Sequence, residues 1–318
     1  MTASAPLLAI KIDVDTARGT AEGVPALVEL FAALGLRATF LFALGPDNTG
    51  RAIKRVFRPG FLGKVGRTNV VGRYGLRTLG NGVLWPGPRI DRRHGDVMRA
   101  AEAAGHECGI HCWDHIRWQD GLATMSAAEV EAELGKARQS FERVFGHRAR
   151  TAGAAGWQAD ANSLAAYDRA GFDYASDARG PRPFFPRWGG RVYRTLQMPT
   201  TLPTLDELLG RPEYPDDGLI GHYLGLLRPG SYNGFTGHAE IEGMSEMPWF
   251  RRFLEAAAGA GARFVLLADQ ARVLLEQPEA VPVDDLVAGP IDGRSGTVAL
   301  QIPTNDDRPP AAVAGGAP

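Results

Sequence analysis

Lys11-Ile-Asp-Val-Asp-Thr16 and His111-Cys-Trp-Asp-His115 are the two stretches on which the reading of this chain turns. The first closes a short apolar run over residues 7–12, with the β-rich composition of a buried strand, and breaks into charge at Asp13. The second follows another short strand signal at 106–110. Working outward, residues 38–44, 150–154, 172–176, 194–198, 233–237 and 263–266 also read as strands. Helical spacing of Val24, Leu27, Val28, Phe31 and Leu34, with Gly35 behind them, predicts a helix and its C-cap. Further helices are predicted at 96–104, 160–170, 218–227, 249–258 and 269–276, and over 126–145, where Ser126 and Glu129 form a capping box. Such βα repetition predicts an α/β fold on a parallel sheet, open or closed into a barrel.

The chain has 318 residues, 44% of them apolar and 22% charged, with two cysteines, Cys108 and Cys112. Global disorder and a disulfide scaffold are excluded, and a chain of this size buries a core that needs no staples. Two thiols fit a reducing compartment, and the CGIHC spacing favours core thiols over a zinc site built from Cys108, His111, Cys112 and His115. No apolar run reaches the length of a membrane span, and the N-terminus lacks a basic region before a long apolar core, so neither a spanning helix nor an export signal is predicted. A net charge of −1 speaks against nucleic acid as a partner.

That charge is unevenly spread. Between Asp47 and Asp91 there is no acidic residue, whereas nine lysines and arginines fall there, so this stretch carries +9 and the remainder −10. Rich in glycine and aromatics, it is too long for a routine βα loop. It reads as an insertion, at about residues 48–90, in a single domain spanning 1–302; residues 303–318 read as a disordered tail.

Polar residues collect where strands are predicted to end: Asp13 and Asp15, His111 and His115, Asp177, and His238. In a βα barrel the carboxyl ends of all strands share one face, so residues distant in sequence converge there. One aspartate and two histidines make a three-ligand set for a divalent ion with open positions for water and substrate. On a helical turn, His111 and His115 share one face, and Asp15 completes the set. Asp13 faces the same way as Asp15 and is placed as a general base, with His238 as the acid; the chemistry implied is metal-assisted hydrolysis of an acyl bond. Taken singly, these motifs equally describe satisfied core histidines and helix-capping aspartates. Their joint placement at strand ends carries the metal reading. His94, His106, His147 and His222 lack companions and read as surface or capping residues.

KIDVDT, HCWDH, AAGWQAD, SDARG and GHAEIEG occur in the order seen in the polysaccharide deacetylase (NodB-homology) family, which the sequence resembles from about residue 8 to 296. DVDTARGTAEGVP, GPDNTGR, WPG, TLPTLDELLGR and HAEIEG further resemble members that deformylate an undecaprenyl-phosphate-linked 4-formamido-4-deoxy-arabinose, a step toward lipid A modification and polymyxin resistance. The resemblance implies a distorted (β/α) barrel and one divalent metal ion, which the ligand types allow to be Zn²⁺, Co²⁺, Ni²⁺ or Mn²⁺. It makes Asp13 the catalytic base, His238 the acid, and Asp15, His111 and His115 the metal ligands. It also implies a cytoplasmic protein, peripheral on the anionic surface of the inner membrane, with no protein partner inferred. Many members carry an arginine in the third motif that orients the base. Here TAGAAGWQAD has none, and Arg179 is the expected substitute. The Trp157 N–H is expected at an oxyanion, Asp177, Arg179 and Glu240 in the pocket, and Arg55, Arg58, Lys64 and Arg67 against membrane or lipid phosphate. The rival functions are N-deacetylation of another amino-sugar polymer or glycolipid, and a non-catalytic membrane-associated binding protein on a degenerate scaffold of this kind.

Overall fold

The computed structural model describes residues 4–52 and 80–304. Arg55, Arg58, Lys64 and Arg67, with the centre of the basic stretch, lie outside the described residues, as does the tail from 305 onward.

Eight strands run parallel in one sheet: β1 (Leu7–Val14), β2 (Thr39–Ala43), β3 (Glu107–Cys112), β4 (Thr151–Ala152), β5 (Tyr174–Ala175), β8 (Leu196–Gln197), β9 (Tyr232–His238) and β10 (Arg263–Val265). Strand β1 pairs with three others. Its later residues pair with β2, its first residues with β10, and β9 runs along its other edge. From β2 the order continues through β3, β4 and β5 to β8. No strand ladder joins β8 to β9; the gap is bridged by the Thr201 and Leu202 amides, which donate to the Gly234 carbonyl. The result is an incomplete, distorted barrel.

Helices α1 (Val24–Leu34), α2 (Ile90–Ala103), α3 (His115–Gly121), α4 (Ala127–Phe145), α5 (Ala161–Ala170), α6 (Leu205–Leu208), α7 (Leu219–Leu226), α8 (Met247–Gly259) and α9 (Leu267–Leu275) surround it. Alternation along the strands decides which side chains meet them. Leu8, Ile10, Ile12 and Val14 of β1, Phe40 and Phe42 of β2, and Cys108, Ile110 and Cys112 of β3 belong to the core shared with the helices. Residues of the other parity, including Lys11, Asp13, Leu41, Gly109 and His111, line the barrel interior. Both cysteines are buried free thiols.

Three features depart from the sequence reading. Helix α2 starts at Ile90, not near 96, because buried Asp91 accepts hydrogen bonds from Arg89, Ser140 and Arg143 and ties the first turn to α4. His106 is a core residue, not a surface one: its Nδ1 accepts the Ala38 amide and its ring packs on Phe31 and Phe40. A second, four-stranded sheet was not signalled; it consists of β6 (Phe185–Trp188), β7 (Arg191–Val192), β11 (Val283–Gly289) and β12 (Val298–Ile302). Its strands carry Pro186, Asp284 and Asp285, which mask any strand pattern. Asp284 is tolerated because Arg182, Gln301 and Thr304 donate to its carboxylate.

Inside the barrel, space is fixed to within a methyl group. A Cβ on Gly109 would lie 2.6 Å from Thr151 Cγ2 and 2.7 Å from Leu41 Cδ2, whereas one on Gly135 of α4 meets nothing within 4 Å. Gly109→Ala is therefore expected to destabilise the fold by about 1–3 kcal/mol. Gly135→Ala should stabilise it by up to about 1 kcal/mol through helix propensity. Urea titration of both variants checks the opposite signs.

Candidate active site

Register converts separation in sequence into proximity. In the β1–β9 pairing Asp13 lies opposite His238, and the Ala239 amide donates to the Asp13 carbonyl, so the two side chains project side by side from neighbouring strands. Asp15 follows β1 with the parity of Asp13. His111 comes from β3, at the irregularity in its pairing with β2, where the register passes from Ile110 to Cys112.

His115 arrives differently from the sequence expectation. The two histidines do not share a helical turn: His111 is in the strand and His115 is the first residue of α3. Asp114 makes the junction. Its side chain caps α3 by accepting the Arg117 amide, so the chain turns sharply and the second imidazole swings back toward the first. The rings end 5.3 Å apart, centroid to centroid.

Asp15 sits between them. Its Oδ1 is 3.3 Å from His111 Nε2 and its Oδ2 3.4 Å from His115 Nε2. Two donors each about 2.1 Å from one ion lie about 3.0–3.4 Å apart, so the spacing suits a shared first-row divalent ion. One ligand atom from each of these three residues lies within 4.8 Å of the other two. Asp15 Oδ1 is buried with no hydrogen-bond partner among the described residues, and so are Asp13 Oδ1, His111 Nδ1 and His238 Nδ1. Buried polar atoms are rarely left so, and a cluster of them beside three candidate ligands is the kind of place where an ion could complete the bonding. Burial alone would raise the Asp15 carboxyl, but His115 and His111 outweigh it and hold it below the usual carboxylate range. Burial likewise depresses His111, while Asp13 and Asp15 prevail and raise it.

The surrounding residues separate into those that line the site and those that hold it. Trp157 has φ 54°, the one positive value among the described non-glycine residues, and its ring meets that of His238 edge-on at 6.2 Å. Strain of this kind persists where a side chain must be aimed. Its amide, however, donates to the Ala154 carbonyl at 3.0 Å, which removes it as an oxyanion donor. Asp177 is wholly buried and bonded to the Ala154 amide and the Gln197 side chain, so it fixes the turn carrying Trp157 instead of lining a pocket; burial pushes it up to about 6. Arg179 does not hold Asp13. It forms a two-pronged pair with Glu207, at 2.6 and 3.1 Å, and donates to the Leu202 carbonyl. Glu240 Oε1 accepts the Asp15 and Thr16 amides and the Thr16 hydroxyl, stapling the β1 loop to β9; burial and the Asp15 charge push this carboxyl up to about 8. Sequence reasoning overlooked Lys11, whose Nζ is 3.3 Å from Asp13 Oδ2. The available signal was a lysine at strand parity with Asp13 inside an apolar run.

A family model described as polysaccharide deacetylase matches residues 4–175. The chain belongs to the polysaccharide deacetylase family. A protein of Shewanella sediminis named as a 4-deoxy-4-formamido-L-arabinose-phosphoundecaprenol deformylase, ArnD, is 37% identical over 92% of this chain and 93% of its own length. One of the same name from Wigglesworthia glossinidia brevipalpis is 32% identical over 89% of this chain and 98% of its own. Among solved structures, a polysaccharide deacetylase from Mycobacterium smegmatis matches with a TM-score of 0.57 at 16% identity, over 87% of this chain and 96% of that one. A Puue allantoinase matches with a TM-score of 0.55 at 17% identity, over 85% and 90%. Both share the fold.

Loading with Zn²⁺ or Mn²⁺ at a hundred times the dissociation constant should stabilise the protein by about 2.7 kcal/mol. His115→Ala and Asp15→Ala should lose most of that gain, as read by thermal melting with and without chelator.

Proposed function

We propose that the protein is a metal-dependent amide hydrolase that removes the formyl group from a 4-formamido-4-deoxy-arabinose carried on undecaprenyl phosphate. The observation that carries the hydrolytic part is the convergence of Asp15, His111 and His115 beside the Asp13–His238 pair. The substrate follows from relatives of that name that align with about nine-tenths of the chain, well past the part matched by the family model.

Asp15, His111 and His115 would hold the ion, which when bound supplies a Lewis acid that polarises the formyl oxygen and acidifies water. The rest of the work falls to the chain. Asp13 Oδ1, buried and without a hydrogen-bond partner among the described residues, accepts the proton of the attacking water. The water oxygen adds to the formyl carbon, and the carbon–nitrogen bond then breaks. His238, through Nδ1, which has no hydrogen-bond partner among the described residues, donates a proton to the departing nitrogen, leaving a free amine and formate. The Trp157 indole beside His238 restricts its ring and excludes water from that side.

The substrate's lipid suggests where the protein works. No helix among the described residues is long and apolar enough to cross a membrane. A turn at Val83, Leu84 and Trp85 nevertheless exposes 54, 73 and 42% of three apolar side chains. The Gly82 amide donates to the Trp85 carbonyl and the indole to Asn81, which holds the turn. Gly82 packs on Asn48, and Asn48 donates to Asp114, the cap of the helix that begins with His115. An apolar turn coupled so closely to a metal ligand, next in sequence to nine basic residues, suits contact with an anionic inner-membrane surface from the cytoplasmic side.

Mass spectrometry of the lipid-linked formamido sugar after incubation with metal-loaded protein should record loss of the formyl group, with the N-acetyl analogue turned over far more slowly. Preference for the acetyl compound would transfer the reading to deacetylation. His238→Ala should lower kcat by about 10²–10⁴-fold with little change in KM. Flotation with anionic vesicles should recover at least about tenfold less of an Arg55→Glu/Arg58→Glu/Lys64→Glu variant, and less of Leu84→Ser/Trp85→Ser.

A further inference from the structure

Lys11 stands in the middle of β1 and is 2% exposed. An ammonium so enclosed must be paired. Its Nζ lies 3.3 Å from Asp13 Oδ2, donates to the Ser176 carbonyl at 3.3 Å, and sits 5.2 Å from the centre of the Trp157 indole. The end of β4, across the barrel interior, leaves room for it. A Cβ on Gly153 would be 2.4 Å from Leu41 Cδ1 and 3.7 Å from this amine, so the glycine of TAGAAG lies alongside the lysine where a side chain would intrude. The grip on Asp13 is one-sided. Oδ2 faces the amine, while Oδ1 has no hydrogen-bond partner among the described residues and is 3.8 Å from His111 Nδ1.

We propose that Lys11 is the positioning residue of this site. By holding Oδ2, it fixes the carboxylate plane of Asp13 and turns Oδ1 toward the water to be deprotonated. The Ser176 carbonyl and the Trp157 face hold the amine itself, so the constraint passes from β5 and the Trp157 turn through Lys11 to the base. Arg179 does not share this task among the described residues: its ion pair is with Glu207 and its other terminal bond is to the Leu202 carbonyl. The inference rests on the hydrolase reading for its kinetic consequence but not for the pairing itself.

The test compares Lys11→Met, Lys11→Arg, Asp13→Asn and the Lys11→Met/Asp13→Asn double variant, each with metal content measured. Lys11→Met is expected to lower kcat about a hundredfold or more, with KM within about threefold and metal content unchanged, because a misaimed base costs rate more than binding. Lys11→Arg should regain at least about tenfold of that loss. In thermal melts Lys11→Met should lower the transition temperature by leaving Asp13 buried and unpaired, and adding Asp13→Asn should restore much of it. Rescue of a Lys11→Met variant that does not fold is the same result in stronger form. A kcat within threefold of the unaltered protein, or additive melting shifts in the double variant, would overturn the proposal. Lack of turnover by the unaltered protein would count against the deformylase reading alone, since the melting cycle reads the Lys11–Asp13 pairing without substrate.

Discussion

Strand β1 must satisfy two environments at once, and the rest of the molecule follows from how it does so. Its even-numbered side chains, Leu8, Ile10, Ile12 and Val14, enter the core beneath the helices. Its odd-numbered ones bring Lys11, Asp13 and then Asp15 into the barrel interior. Three ionisable groups in a water-poor space are stable only if each meets an opposite charge or a donor. Lys11 meets Asp13, Asp15 meets the two imidazoles, and the sheet register brings His238 alongside. A shift of one residue in the β1–β9 pairing would bury the charges among Phe40, Phe42 and Phe250 and carry the apolar residues into the site.

Buried acids behind the site hold it under the same constraint. Glu240 fastens the loop after Asp15, Asp177 the turn before Trp157, and Glu207 the guanidinium of Arg179 beneath the indole. Burial raises Glu240 and Asp177 to about 8 and 6, which means these groups hold geometry at a standing electrostatic cost. Glu242, raised to about 7 by burial, accepts the His238 amide and fixes the end of β9 in the same way. Rigid placement of a few polar atoms within about half an ångström is what such supports achieve for a reactive site.

Much of the frame was legible because its signals are local. The period-two alternation of β1, the helical spacing and Gly35 cap of α1, and the Ser126–Glu129 box of α4 each follow from neighbours in the chain. Features held by distant partners were not. The start of α2 depends on Arg143 and Ser140 meeting Asp91, and β11 on Arg182 pairing with Asp284 while Gln301 donates a hydrogen bond to it. His106 looked like a surface residue because nothing near it in sequence announces the Ala38 amide.

The same division runs through the site. By itself the sequence determined that acids and imidazoles stand at strand ends, since strand ends and residue types are both local properties, and it marked Asp13, Asp15, His111, His115 and His238 as a set. Tertiary structure decided what each one faces. Only the folded barrel shows Lys11 on Asp13 in place of Arg179, the Trp157 amide closed off by Ala154, and His115 turned back by the Asp114 cap. These partners are near in sequence, but which of them a buried polar group faces depends also on what the fold brings from far along the chain, as the Ser176 carbonyl, 165 positions from Lys11, helps to hold the amine against Asp13.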